Sequence, residues 1–212
     1  MTKRLQTLLL ALTPCRKLAD VGCDHGYLSK AALDSGLAEA VVVSDISSPS
    51  LEKARALLAP YGERVRAVVC DGLSKVDADC DQVVIAGMGG EEIISILSSA
   101  PFLPSRLVLQ PMKNADKLRK RLLLLGYRIE RDYVFKDEKF YTLIAAVKGE
   151  DAYTDDEIFF GRDNLKDRSP DFMELAQREY QKYCALCGGV GLSESVRAEL
   201  EALKNKYGEI LK

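Results

Sequence analysis

Asp20, Gly22, Asp24 and Gly26 alternate through a turn that follows an apolar run and opens a helical pattern. Glycines in a strand-to-helix turn let backbone N–H groups approach a ligand, and the helix N-terminus adds a favourable dipole. A dinucleotide turn requires G-x-G-x-x-G, and here Asp24 stands where its middle glycine would be. A carboxylate at that point repels a pyrophosphate. It suits S-adenosylmethionine, which carries no phosphate and presents a sulfonium and an ammonium cation. Cys23, inside the turn, joins these residues as a donor-binding candidate.

Further acids and glycines recur at the ends of later apolar runs. Asp45 closes the run Ala40–Ser44, 23 positions after Gly22. An acid at the tip of a second strand is placed to accept two ribose hydroxyls, with Ile46 beside it at the nucleoside. The competing role, capping the next helix, is filled by Ser47 and Ser48 before Pro49. Asp71-Gly72 ends a third run, where a carboxylate can receive an adenine amino group. Asp81–Ala86 leads into Gly87-Met88-Gly89-Gly90. Three glycines in four positions cost conformational entropy, and they suit a planar group or methyl donor lying against the backbone. Met88 either lines that pocket or packs as ordinary core.

The elements that position these residues form an α/β pattern. Strands are expected at 18–21, 40–44, 64–70, 81–86 and 106–110. Helices are expected at 2–13, 27–36, 49–58, 91–97 and from Lys113 onward. Continuous β-branched runs such as Ala40–Ser44 mark strands buried on both faces. Tyr127–Phe135 and Phe140–Val147 read as a closing hairpin. Six parallel strands with an antiparallel seventh make the class I methyltransferase (Rossmann-like) plan, and a standard dinucleotide fold lacks that last hairpin strand. Residues 1–149 are the expected donor-binding catalytic domain. Residues 151–168 read as polar and turn-rich. Two amphipathic patterns around Gly188-Gly189 then predict an antiparallel, coiled-coil-like helical hairpin, giving a C-terminal domain at 150–212.

The stretch Lys113–Arg121 holds five bases, Lys113, Lys117, Arg119, Lys120 and Arg121, against the single acid Asp116. A solvated helix face and a phosphate-binding face both fit. Net charge is −2, so any nucleic-acid contact is local. The six cysteines show no disulfide framework, and Cys184-x-x-Cys187 lacks the second ligand pair of a zinc site, so no metal is expected. The apolar run Leu8–Leu12 is too short to span a membrane, and the expected compartment is cytoplasmic.

On these residues the sequence resembles the bacterial tRNA (adenine-22-N1)-methyltransferase family. The matching pieces are Leu18–Leu28 with its Asp-His-Gly-Tyr, Ile-Ala-Gly-Met-Gly-Gly at 85–90, Leu-Val-Leu-Gln-Pro at 107–111, and the lysine-aromatic-tyrosine hairpin at 139–141. The resemblance covers nearly the whole chain. It implies S-adenosylmethionine as methyl donor, tRNA as partner, and attack by N1 of an adenosine. Gly87, Met88 and Gly89 would then form the floor under the target base, while Asp24, His25, Tyr27, Gln110 and Tyr141 would be candidates for contacts to it. Tyr141 and the five bases of 113–121 would face RNA. A monomer or weak homodimer is expected. The alternatives are another RNA or a small molecule as methyl acceptor, an NAD dehydrogenase, and a binding module without activity.

Overall fold

The computed structural model describes residues 1–189 and 192–212. Its centre is a seven-stranded sheet. The strands are β1 (Cys15–Val21), β2 (Ala38–Asp45), β3 (Val65–Val69), β4 (Gln82–Met88), β5 (Arg106–Pro111), β6 (Tyr127–Lys136) and β7 (Phe140–Lys148). Their spatial order is β3-β2-β1-β4-β5-β7-β6. The first five pair parallel, and β7 runs antiparallel to both β5 and β6. Strand β6 therefore points the same way as the first five, and the expected class I methyltransferase sheet is what forms.

Alternation along the strands builds two cores. On β4, Val83 and Ile85 enter one apolar layer and Val84 enters the other. The first layer holds residues of α4 (Gly90–Ser99) and α5 (Ala115–Leu124). The second holds residues of α1 (Lys3–Ala11), α2 (Tyr27–Asp34) and α3 (Ser48–Leu58). Helices on both faces explain why the strands read as β-branched runs. The chain turns to opposite sides of the sheet at β1 and β4, so a crevice opens at their carboxyl ends, where the acids and glycines lie.

Residues 151–168 correct the sequence expectation. They form two short helices, α6 (Asp155–Phe160) and α7 (Arg162–Asp167), in place of turns. Thr154 and Glu157 make a reciprocal cap: the Thr154 hydroxyl accepts from the Glu157 N–H at 3.2 Å, and the Glu157 carboxylate accepts from the Thr154 N–H at 2.7 Å. Gly161 (φ 93°) breaks the two helices apart.

This segment also covers the sheet edge. Four N–H groups of β6 donate to side chains from beyond the hairpin: Ile129 to Asp151 at 3.0 Å, and Asp132 to Asp163, Val134 to Asn164 and Lys136 to Asp171 at 2.8 Å. An edge strand so capped is not a template for pairing with another chain. Beyond it α8 (Pro170–Cys187) and α9 (Glu194–Ile210) pack together through Tyr183 and Tyr207, stacked at 5.8 Å. Among the described residues no helix is long and apolar enough to cross a membrane.

Candidate active site

The turn after β1 is held open by its glycines. Gly22 has φ 70°, and a Cβ there would lie 2.1 Å from the Met88 Cε atom. Gly26 (φ 74°) caps α2 from the left-handed region. Asp24, itself at φ 48°, is exposed and donates its N–H to Asp45 at 3.2 Å. Asp45 also accepts the Ser47 N–H at 2.8 Å, while the Ser47 hydroxyl caps α3. Asp45 thus organises the turn in front of it and is not the helix cap, as the spacing of Ser47 implied.

Val21, Gly22, Asp24, Asp45, Ile46, Cys70, Asp71, Gly72, Gly87 and Met88 line one cavity of about 380 Å³. A second cavity, about 510 Å³, is lined by Asp20, Cys23, His25, Tyr27 and Leu28 with Met1, Thr2, Leu5 and Leu8 from the N-terminal segment and α1. The two share Arg4, Gly22, Asp24 and Ala86. The structure therefore brings the donor-binding candidates other than Gly26 to one crevice but divides them between two chambers: Asp20, Cys23 and His25 lie on the α1 side, Asp45 and Asp71 on the β3 side. Gly26 is buried beneath the turn against Ala54 and Leu58.

Asp20 is buried, and its carboxylate accepts from the Ser29 hydroxyl at 2.8 Å. Burial pushes the Asp20 carboxyl up to about 6, opposed by that hydrogen bond. A cation in the adjoining chamber would favour its charged form. Burial likewise pushes the Cys23 thiol well above its ordinary range, so Cys23 is inert wall. Asp24 lies 2.7 Å from His25 Nδ1, and His25 stacks on Tyr27 with centroids 5.7 Å apart. Tyr27 and Ile46 are exposed, Tyr27 at the second chamber and Ile46 at the first.

The three glycines after β4 have different reasons. Gly87 (φ 84°) faces the cavity, where a Cβ would lie 2.8 Å from Arg4 Nη2. Gly89 lies against the Lys113 side chain, and Gly90 against the backbone after β5. The Gly90 N–H donates to the Lys113 carbonyl, and the Met112 N–H to the Met88 carbonyl, both at 2.8 Å. So Gly87 opens onto the cavity, and Gly90 serves the zipping of two loops. A Cβ on Gly90 would sit 2.4 Å from the Asn114 carbonyl oxygen, a backbone atom that cannot rotate away. Gly90→Ala should cost about 2 kcal/mol in denaturant unfolding and weaken donor binding, because Met88 moves with the loop. A variant of unchanged stability would show that the loops separate freely.

Gln110 is fully buried at the end of β5; its Oε1 accepts from Arg4 Nε at 2.6 Å and its amide nitrogen lies 3.2 Å from the Met112 sulfur. The Arg4 guanidinium covers Tyr141 at 5.4 Å, and Tyr141 stacks on Phe135. Arg4 is the site residue that sequence reading missed. It falls at the start of the helix expected at 2–13, whose basic end is a weak sign of a phosphate contact and more simply a solvated helix end, and nothing local ties position 4 to position 110. Glu92, one turn into α4, also lines the cavity unannounced.

The basic stretch is partly overturned. Arg119 is not a phosphate ligand: it is 2% exposed, bidentate on buried Asp132 at 2.7 and 2.9 Å, and donates to the carbonyls of Ile158 and Phe159. Lys117 pairs with Glu91, and Arg121 donates to Ser98 at 3.1 Å. Lys113 and Lys120 are exposed.

Residues 1–144 match the family model described as a methyltransferase domain. A Mycoplasma pneumoniae protein provisionally named a tRNA methyltransferase is 32% identical over 160 residues, 73% of this chain and 74% of its own. The tRNA (adenine(22)-N(1))-methyltransferase of Bacillus subtilis is 27% identical over 157 residues, 71% of this chain and 66% of its own. In fold, the M. capricolum protein TrmK in complex with S-adenosyl-homocysteine superposes with a TM-score of 0.90 at 20% identity, covering 100% of this chain and 99% of that one. Similarity of this extent, in sequence and across the whole fold, shows that the chain belongs to the methyltransferase-domain family, among the bacterial tRNA methyltransferases that its motifs resemble.

Proposed function

We propose that this chain transfers a methyl group from S-adenosylmethionine to N1 of the adenosine at position 22 of tRNA. The observation that carries the reading is the crevice itself. A chamber ringed by four carboxylates and three glycines, those of Asp24, Asp45, Asp71, Glu92, Gly22, Gly72 and Gly87, meets a second chamber at Arg4, which holds Gln110. The first fits a nucleoside that carries no phosphate and bears cationic groups, and the names of the relatives support tRNA as acceptor.

Asp45 would hold the ribose hydroxyls and Asp71 the adenine amino group. Ile46 would cover one face of the purine. Asp20 and Asp24 would face the methionine cations, with Gly22, Gly26 and Cys23 shaping the turn. The bound donor supplies a methyl group on a sulfonium, which is already a good leaving group. Adenine N1 attacks with a ring lone pair, so no residue need remove a proton, and positioning dominates. Gly87, Met88 and Gly89 would floor the target base, His25 and Tyr27 would wall it, and Gln110 Oε1 would accept from its amino group as positive charge spreads over the ring. N1 lies on the Watson–Crick edge, so the base must leave its stack first. Lys113, Lys117, Lys120 and Arg121, with Tyr141 at the rim, would face the RNA backbone, and the C-terminal domain at 150–212, with its α8–α9 pair, would extend that surface. A monomer or weak homodimer would act where tRNA is found, in the cytoplasm.

The test is transfer of labelled methyl to unmodified tRNA with nucleoside analysis. N1-methyladenosine confined to position 22 is the expected product. Donor binding with no incorporation would remove tRNA and leave another RNA or a small molecule as acceptor. Reversing Lys113, Lys117 and Lys120 to glutamate should weaken tRNA binding and flatten its salt dependence by about two to three, with donor affinity unchanged. An unaltered salt slope would take α5 out of the interface.

A further inference from the structure

Arg4 stands, with Gly22, Asp24 and Ala86, where the two chambers of the site meet. Its backbone N–H donates to Asp137 Oδ2 at 2.8 Å, which ties the first turn of α1 to the β6–β7 turn. From there the side chain crosses the crevice. Its Nε–H donates to Gln110 Oε1 at 2.6 Å, its guanidinium lies 5.4 Å over the Tyr141 ring, and Nη2 lies over Gly87. It lines both cavities.

Two features of this arrangement conflict with a fixed role. The guanidinium occupies the Gln110 oxygen that an adenine amino group would need. It also sits over Gly87, where the target ring would lie, and methylation at N1 makes that ring a cation. A guanidinium in contact with the developing charge opposes the reaction. Yet Arg4 is half-buried, and the partners that hold its side chain, an amide and an aromatic face, are neutral. A planar fork of donors with neutral partners at the mouth of a site for a polyanion matches a phosphate.

We propose that Arg4 is a gate and positioning residue: it closes the passage between the chambers by holding Gln110, and it exchanges Gln110 for the phosphate of the target nucleotide when the base enters. The exchange frees Gln110 Oε1 for the adenine amino group and withdraws the positive charge from the ring. This rests on the reading of the site as a tRNA methyltransferase.

The experiment uses the full chain with Arg4→Ala and Arg4→Lys, beside the wild type. The wild type must first methylate tRNA; if it does not, the proposed function fails and the role of Arg4 is not what failed. Arg4→Ala keeps the backbone bond to Asp137, so α1 stays anchored. It should bind S-adenosylmethionine as the wild type does, raise KM for tRNA about tenfold, and lower the salt slope of tRNA binding by about one. Arg4→Lys should restore the slope, since the charge returns, but not the full KM, since the fork does not. In a double-mutant cycle, Gln110→Ala should couple to Arg4→Ala in tRNA KM and not in donor affinity. An unchanged salt slope in Arg4→Ala, or a loss of donor binding equal to the loss for tRNA, would overturn the gate and leave Arg4 as a strut for α1.

Discussion

Asp45→Ala should abolish useful donor binding. In titration calorimetry the dissociation constant for S-adenosylmethionine should rise about a hundredfold, from the loss of two hydrogen bonds to a charged acceptor worth roughly 1.5 kcal/mol each. The geometry adds a second reason. Asp45 accepts the Asp24 N–H at 3.2 Å and the Ser47 N–H at 2.8 Å, so it also holds the glycine turn at its observed height above β1. The alanine variant loses both the ribose acceptor and this brace. Asp45→Asn keeps one oxygen acceptor and should fall between wild type and alanine. Folding should survive in both, because α3 is capped by Ser47 and not by Asp45. Affinity for tRNA should also survive, since the exposed lysines of α5 lie on a different element. Donor affinity within threefold of wild type in the alanine variant would remove Asp45 from the nucleoside site and require a different chamber for the ribose.

The site's donor half was legible because it is written locally. Asp45 and Asp71 each follow a valine-rich run, Asp20 and Asp24 flank the end of β1, and a parallel sheet brings the ends of such strands to one edge. Gly22 and Gly87 suggested room for a ligand against the backbone; the structure shows the Met88 and Arg4 side chains at those two positions. The acceptor half was less legible because its contacts are long-range: Arg4 reaches Gln110 across 106 positions. Thr154-x-x-Glu157 is a capping signature in plain view, obscured by the charged residues around it. Arg119 shows how composition misleads where phase would not. Leu118, Arg119 and Leu122 share the buried face of α5, so position 119 falls on the apolar stripe even though its neighbours in sequence are bases.

Arg119→Met should be the most destabilising single change outside the site. The Arg119–Asp132 pair is 2% and 1% exposed, and the guanidinium spends its remaining donor on the Ile158 and Phe159 carbonyls at the end of α6. Removing one partner of a buried pair leaves an uncompensated charge, at a cost of about 3–5 kcal/mol, or roughly 10 °C in Tm for a chain of this size. The loss should depend on pH in a definite direction. Burial pushes the Asp132 carboxyl up, and Arg119 pulls it back down. Without Arg119 the upward push of burial, joined by Asp163, is opposed only by the Arg162 backbone hydrogen bond, so the folded variant holds a proton that the unfolded chain releases. Its stability is then lost as pH rises through the raised value and regained on acidification toward the ordinary carboxylate range. Thermal unfolding at pH 8 and pH 5.5 should therefore show a deficit against wild type that shrinks at the lower pH. Arg119→Met with Asp132→Leu removes both charges and should recover much of the loss, though the two α6 carbonyls stay without their donor. A deficit independent of pH, with no recovery in the double variant, would mean that Arg119 acts through packing against Gly161 and α6, and not as the partner of Asp132.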